Sequence, residues 1–274
     1  MALIIPEVYA SLVKAKFIGK VKVANLSTNL GILTNSTVGE TVTFPKYSTL
    51  SDVQLAVKGV VSPIDSMNQT SSQATIKMYD KIVRVYDIDN MTALGSLIEA
   101  SAEQEATLFA RRLDTDLIAE ALLSPLKVAT ADVNKITAAE LNQGLAMYGD
   151  EADVDDIGGI VVNSLLDASF FSMDEFVSTG KTYNAAGNGI VKNGVIGTFR
   201  GIEVTHSDKG TLIGGECVTF IIKKGSLGYM EKKAIDIVEE REEKLHASDI
   251  VGAYVFAAKL MDETGVVVLR KTIV

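Results

Sequence analysis

Two histidines, one cysteine and two acidic runs are the residues of this chain whose chemistry invites a reading. An imidazole can act as a general base or a metal ligand near neutral pH. His206 and His246, however, form no H-x-x-x-H or H-E-x-x-H pair, and the chain has no G-x-S-x-G. Spacing alone does not exclude a Ser-His-Asp triad, which assembles in space. Both histidines read as ordinary surface or loop residues. Cys217 is the only cysteine, so no intramolecular disulfide and no cysteine zinc cluster can form. It lies in an apolar strand run, where a thiol is usually inert packing.

The run Asp150-Glu151-Ala152-Asp153-Val154-Asp155-Asp156 raises the question of calcium. Started at Asp153, a calcium-binding loop finds Asp155 at its third position and Gly158 at its sixth. It then meets Ile157 at the fifth and Ser164 at the twelfth, where an acid is required. A solvated loop is the better reading. Glu239-Glu240-Arg241-Glu242-Glu243-Lys244 reads as a charged exposed edge, which also discourages stray strand pairing. The glycines of Asn184–Gly189 and Gly194–Gly197 lack a Walker lysine and a G-x-G-x-x-G between strand and helix, so no nucleotide site is expected. No catalytic residue, cofactor or metal ligand is predicted.

The elements carrying these residues are legible in outline. Residues 1–35 read as an arm. Pro6 to Phe17 is compatible with an amphipathic turn or two through Val8, Leu12, Val13 and Ala15. Residues 36–88 read as strands: Thr41–Pro45 is extended, and Val53, Leu55 and Val57 alternate with polar or small residues. Ala74, Ile76 and Met78 do the same, with the phase lost near Asp80-Lys81. A hairpin-like excursion of about fifty residues far exceeds a usual hairpin loop. A two-stranded ribbon is marginal in water, so Val53, Leu55, Val57, Val60 and Val61 need a cover, and a neighbouring copy is the simplest one.

Over residues 91–123, Leu94, Ile98, Ala102, Ala106, Phe109, Leu113, Leu117 and Ala121 form one apolar stripe on a predicted helix of roughly 45 Å. Thr92 is its expected N-cap and Pro125 its stop. Glu99, Glu103, Arg112, Asp116 and Glu120 are expected on its other faces, with Arg112 and Asp116 at i,i+4 spacing. Thr137 and Glu140 fit a capping box for a second helix ending near Tyr148. A strand at 160–162, a helix at 164–171, a glycine-rich loop at 178–198 and strands at 201–205, 217–222, 235–239, 253–260 and 266–269 complete the outline.

The 274 residues can bury roughly three quarters of the unfolded surface, and 47% hydrophobic residues make a folded chain. A net charge of -9 without a basic run longer than two residues argues against tight sequence-specific nucleic-acid binding. A container for DNA escapes that objection, since its lining should not grip the contents. The start lacks the pattern of a signal peptide, and no apolar stretch reaches the ~20 residues of a membrane span. A soluble protein made inside a cell is expected, without membrane contact.

Arm, long ribbon, strut helix and compact α/β portion, in that order, resemble the major capsid proteins of tailed bacteriophages. Their α+β, Hong Kong 97-type fold is shared with encapsulins and herpesvirus coat proteins. The likeness is carried by Gly194-Val195-Ile196-Gly197-Thr198-Phe199-Arg200-Gly201-Ile202-Glu203-Val204 with Ser207 after it. Val238-Glu239-Glu240-Arg241, Asp249, Tyr254-Val255-Phe256 and Gly265–Leu269 add to it, as does the opening Ile5–Ala10. The resemblance implies an N-arm (1–35), an E-loop (36–88), a P-domain with the spine helix (89–133 and 226–250) and an A-domain (134–225 and 251–274). It also implies a structural role without enzymatic activity. Pentamers and hexamers would form an icosahedral shell around double-stranded DNA in the virion, assembled in the host cytoplasm. Scaffolding, portal and decoration proteins would be the further partners.

Val53, Leu55 and Val57 are then expected at the interface between copies, and Arg111, Arg112, Glu239, Glu240 and Arg241 in ion pairs across it. Lys46 and Lys58 lie where some such shells are cross-linked. Family members with a long N-terminal scaffolding region differ from this chain, whose Met1 start favours a separate scaffold. The alternatives are an encapsulin, a tail or adaptor component, and, from another class, a metal-dependent hydrolase using Asp150–Asp156.

Overall fold

A computed structural model describes residues 6–18, 20–32, 41–47, 52–56, 58–59, 61–62, 64–66, 69–92, 97–149, 153–177 and 195–273. The first third of the chain gives helix α1 (Pro6–Ile18), strands β1 (Thr28–Ile32), β2 (Thr41–Tyr47), β3 (Gln69–Thr75) and β4 (Lys77–Tyr86), then α2 (Asp87–Thr92). The long helix α3 (Leu97–Ala121) follows, with β5 (Leu126–Ala129), α4 (Ala138–Ala146), β6 (Ile157–Val162), α5 (Asp167–Ser172) and α6 (Asp174–Val177) behind it. The last third is β7 (Val195–Phe199), β8 (Ile202–His206), β9 (Leu212–Ile213), β10 (Glu216–Cys217), β11 (Thr219–Lys223), β12 (Leu227–Glu242), β13 (Ala247–Leu260) and β14 (Val266–Arg270).

Two sheets organise the molecule. One has the order β1-β12-β13-β4 and the other β5-β14-β11-β6-β8-β7, while β2 and β3 pair only with each other. Residues on alternate sides of β13 separate cleanly. Ile250, Tyr254 and Phe256 are buried against Phe109, Leu113 and neighbouring residues of α3. The same core continues through Leu117 and Ile118 to Phe220, Ile222 and Val268 of the six-stranded sheet, whose other face packs on α4, α5 and α6 through Leu141, Phe170 and Phe176. The strut helix therefore ties the two sheets together.

Local sequence explains the local turns. Thr137 accepts the Glu140 amide while the Glu140 carboxylate accepts the Thr137 amide at 2.7 Å, the reciprocal box expected at the start of α4. The β7–β8 hairpin closes through Arg200 and Gly201 alone, both at positive φ (52° and 86°). Two consecutive left-handed residues make the turn whose twist matches that of a tight hairpin, and glycine takes the second at no steric cost.

The structure departs from the sequence expectations at several places. Residues 53–56 are not a strand; the alternation there has no partner strand among the described residues, and the ribbon strands are β2 and β3. The break in phase falls at Ile76, where the chain leaves the ribbon for the four-stranded sheet, not at Asp80-Lys81. Met78 consequently points outward, 66% exposed. Residues 195–199 form β7, where a loop was expected.

The arm forms a 13-residue helix whose buried side is Tyr9 and Val13 with Leu12 and Phe17 packed beside them, whereas Ala15 is exposed. β13 is one unbroken strand of the four-stranded sheet, so residues 251–260 travel with that sheet, and β5 at 126–129 pairs into the six-stranded one. Leu94, Val57, Val60, residues 150–152 and the glycines at 180, 187, 189 and 194 lie outside the described residues. Among the described residues, no helix is long and apolar enough to cross a membrane.

Candidate assembly surfaces

The ribbon has a seated root and a bare end. Val42, Phe44 and Ala74 are buried against Ala257, with Ile76, Met230 and Met261 packed around them. Burying a side chain such as Phe44 stabilises by roughly 1.5–3 kcal/mol, which anchors the ribbon to the four-stranded sheet. Farther out, Val53 is 99%, Leu55 91%, Val61 85% and Ile64 89% exposed. Four large apolar side chains stand in solvent with nothing of their own chain against them among the described residues. Val53 and Leu55 are thus uncovered in the single chain. Lys58 is exposed too, and the Lys46 side chain lies outside the described residues.

A second bare surface lies on the four-stranded sheet. Its inner face holds α3; the opposite face is covered by the ribbon root at its Ala257 end and exposed at the other. There Ile82 of β4, Val251 of β13 and Val238 of β12 stand opposite one another across three strands, Ile82 and Val238 being 54% and 56% exposed. The next row, Arg84–Asp249–Glu240, is charged, and Arg84 grips Asp249 through two bonds of 2.6 Å. Those bonds hold the Asp249 carboxyl below its ordinary range. Only the strand register, which the sequence does not state, brings these residues into rows.

The charged residues expected between copies are partly engaged at home. Arg112 reaches Asp116 at 3.0 Å, donates to the Tyr79 hydroxyl at 2.8 Å and stacks over that ring at 4.4 Å. Arg241 makes a two-bonded pair with Asp87 at 2.6 and 2.8 Å, clamping the β12–β13 hairpin to the start of α2. Each guanidinium meets a carboxylate of its own chain because i,i+4 spacing or strand register puts one in reach. Glu239 is half-buried and Glu240 exposed on the hairpin, and Arg111 is exposed on α3.

Sequence reasoning missed three acids on α3. Glu105, Asp114 and Asp116 are 1%, 4% and 5% exposed. Asp116 was expected on a polar face, yet it accepts the Tyr79 hydroxyl at 2.7 Å. Asp114 accepts the amides of Lys22 and Ala24 at 3.0 and 2.9 Å, and burial pushes its carboxyl up to about 6. Glu105 takes the Tyr9 hydroxyl at 2.9 Å, and a Cβ at Gly252 would collide with its Oε1. The signal was present: Glu105 stands three after Ala102 and four before Phe109, on the apolar stripe itself.

His206, expected on the surface, is a buried strand residue whose ring pairs with Asp167. His246 sits exposed at the tip of the β12–β13 hairpin. Cys217 is buried beside Asn134, and burial raises its thiol. Among the described residues no three His, Cys, Asp or Glu side chains gather as a metal site.

No protein-family model matches the chain. The major capsid protein of Staphylococcus phage phiMR11 is 23% identical over 268 residues, 98% of this chain and 93% of that protein. A chain of the capsid of cyanophage P-SCSP1u superposes with a TM-score of 0.65 at 12% identity, over 91% of this chain and 87% of that one. A chain of the capsid of a native GTA particle gives 0.66 at 9% identity, over 92% and 90%. This is the Hong Kong 97-type capsid fold. Likeness at such low identity over nearly the whole length marks a shared capsid fold of α+β type. The resemblance to tailed-phage major capsid proteins drawn from the short motifs holds.

Proposed function

We propose that the chain is the major capsid protein of a tailed-bacteriophage-type particle. Its copies tile an icosahedral shell as pentamers and hexamers and enclose double-stranded DNA without reading its sequence. The single observation that carries this reading is the bare end of the ribbon. Covering Val53, Leu55, Val61 and Ile64 against a neighbour is worth on the order of 6–12 kcal/mol before the entropic cost of association. The open row Ile82–Val251–Val238 on the next copy is the receiving surface, apolar and flanked by charges that set its limits. The phiMR11 likeness along the full chain supports the same role. That role is structural and not enzymatic.

In this reading the ribbon is the E-loop, residues 1–35 the N-arm, and α3 the spine helix. Strands β4, β12 and β13 of the four-stranded sheet, through residue 260, belong to the P-domain, with β1 lent by the N-arm, and the six-stranded sheet with α4 to α6 is the A-domain. Scaffolding, portal and decoration proteins are the further partners, and assembly takes place in the host cytoplasm. Negative-stain electron microscopy of the concentrated protein tests it. Closed shells built of five- and six-membered rings are expected. Tubes or single rings would instead indicate a tail or adaptor component, and shells that co-purify with a cargo enzyme an encapsulin. Lone monomers binding divalent ions would point to a hydrolase.

A further inference from the structure

One cleft lies outside both apolar surfaces. It has a volume of about 360 Å³ and opens where the segment after α1, the middle of α3 and the turn after β8 meet. Four cations line it: Lys20 and Lys22 from the first segment, Arg111 from the helix and Lys209 from the turn. Asp114 and Asp208 are the acids there. In a chain of net charge -9, such a local excess of positive charge calls for a reason.

The cations are unequally engaged. Lys20 already holds Glu103 at 3.1 Å. Asp114 is buried, and its two oxygens face the backbone amides of Lys22 and Ala24, so it is turned to its own chain. Arg111 and Lys209 have no carboxylate within 4.0 Å among the described residues, and both are exposed. A guanidinium fork and ammonium groups supplied by three separate segments can meet one tetrahedral anion from several sides. Among the described residues no aromatic ring lines the cleft, so they offer no platform for stacking a base.

The geometry points to a phosphate-binding cleft at Lys22, Arg111 and Lys209, occupied by the backbone of the enclosed nucleic acid. Phosphate recognition stands on the cleft itself, whereas the nucleic acid as its source rests on the shell reading. Contacts of this kind carry no sequence information and weaken steeply with salt. They suit a lining that positions its contents lightly.

Fluorescence anisotropy of a short DNA duplex of arbitrary sequence, with the full-length chain, tests this. The variant Arg111→Gln/Lys209→Gln should bind about tenfold more weakly, and its log–log salt slope should fall by roughly 2 between about 50 and 200 mM salt. Arg111→Lys/Lys209→Arg should keep the binding, and Lys244→Gln, on the far hairpin, should change nothing. Unchanged binding in the double Gln variant, or no binding by the wild type, overturns the nucleic-acid assignment.

Tripolyphosphate followed by calorimetry separates the sources. If it binds in an Arg111- and Lys209-dependent way while the duplex does not, the phosphate chemistry holds and the nucleic-acid source falls. If the double variant keeps duplex binding but loses self-association in sedimentation, the cleft belongs to a second copy, and the proposal is wrong. Duplex binding that depends on the cleft in a protein forming no shells would sink the shell reading alone.

Discussion

Leu55 and Phe44 belong to one excursion of the chain and have opposite fates, 91% exposed and fully buried. Their substitutions should therefore separate assembly from folding. Leu55→Asp removes no contact of the single chain, so its thermal melt should shift by under about 0.5 kcal/mol while sedimentation shows assembly lost. Phe44→Ala empties the seat of the ribbon and should cost about 3 kcal/mol or more in a denaturant melt. Equal loss of stability in both variants would contradict this division. The apolar character of Val53 and Leu55 could be read from sequence, but their period-two spacing could not say that no strand lies beside them among the described residues. Conversely, Glu105 and Asp116 announce themselves by standing on the helical stripe. Reading every acid as solvent-facing hid them.

Helix α3 fastens the other elements through its buried acids: α1 by Glu105, the segment behind it by Asp114, and β4 by Asp116. Asp114 gives this arrangement a pH signature. Its carboxyl is raised from 3.8 to about 6, chiefly by burial. Between those values the folded chain keeps a proton that the unfolded chain has released. Its contribution is full below about pH 4 and is lost as pH rises through about 6, on the order of 3 kcal/mol. Denaturant melts of wild type and Asp114→Asn from pH 4 to 7 should diverge by that amount, with wild type falling as pH rises. Parallel curves would contradict the buried, ionisable placement. At this scale the stripe of α3 and the capping box of α4 were legible because both are spacings of three and four residues. The parallel pairing of β1 with β12 and the placing of Ile82 beside Val251 were not, since each joins residues more than a hundred positions apart.

At the scale of the whole molecule, two apolar surfaces without a cover face away from the chain's own core, one on the ribbon and one on the four-stranded sheet. The order of arm, ribbon, strut and α/β body was readable from sequence and matches the fold. The seating of the arm helix was not, because its two turns of apolar residues acquire meaning only beside Tyr9's partner on α3. Sedimentation velocity across a concentration series, comparing the intact chain with one whose residues 48–68 are replaced by a short Gly-Ser linker, addresses the central claim most directly. The intact chain should pass into large particles while the shortened one stays a folded monomer with its cores undisturbed. An intact chain that remains monomeric at every concentration, or a shortened one that assembles as readily, would contradict the account.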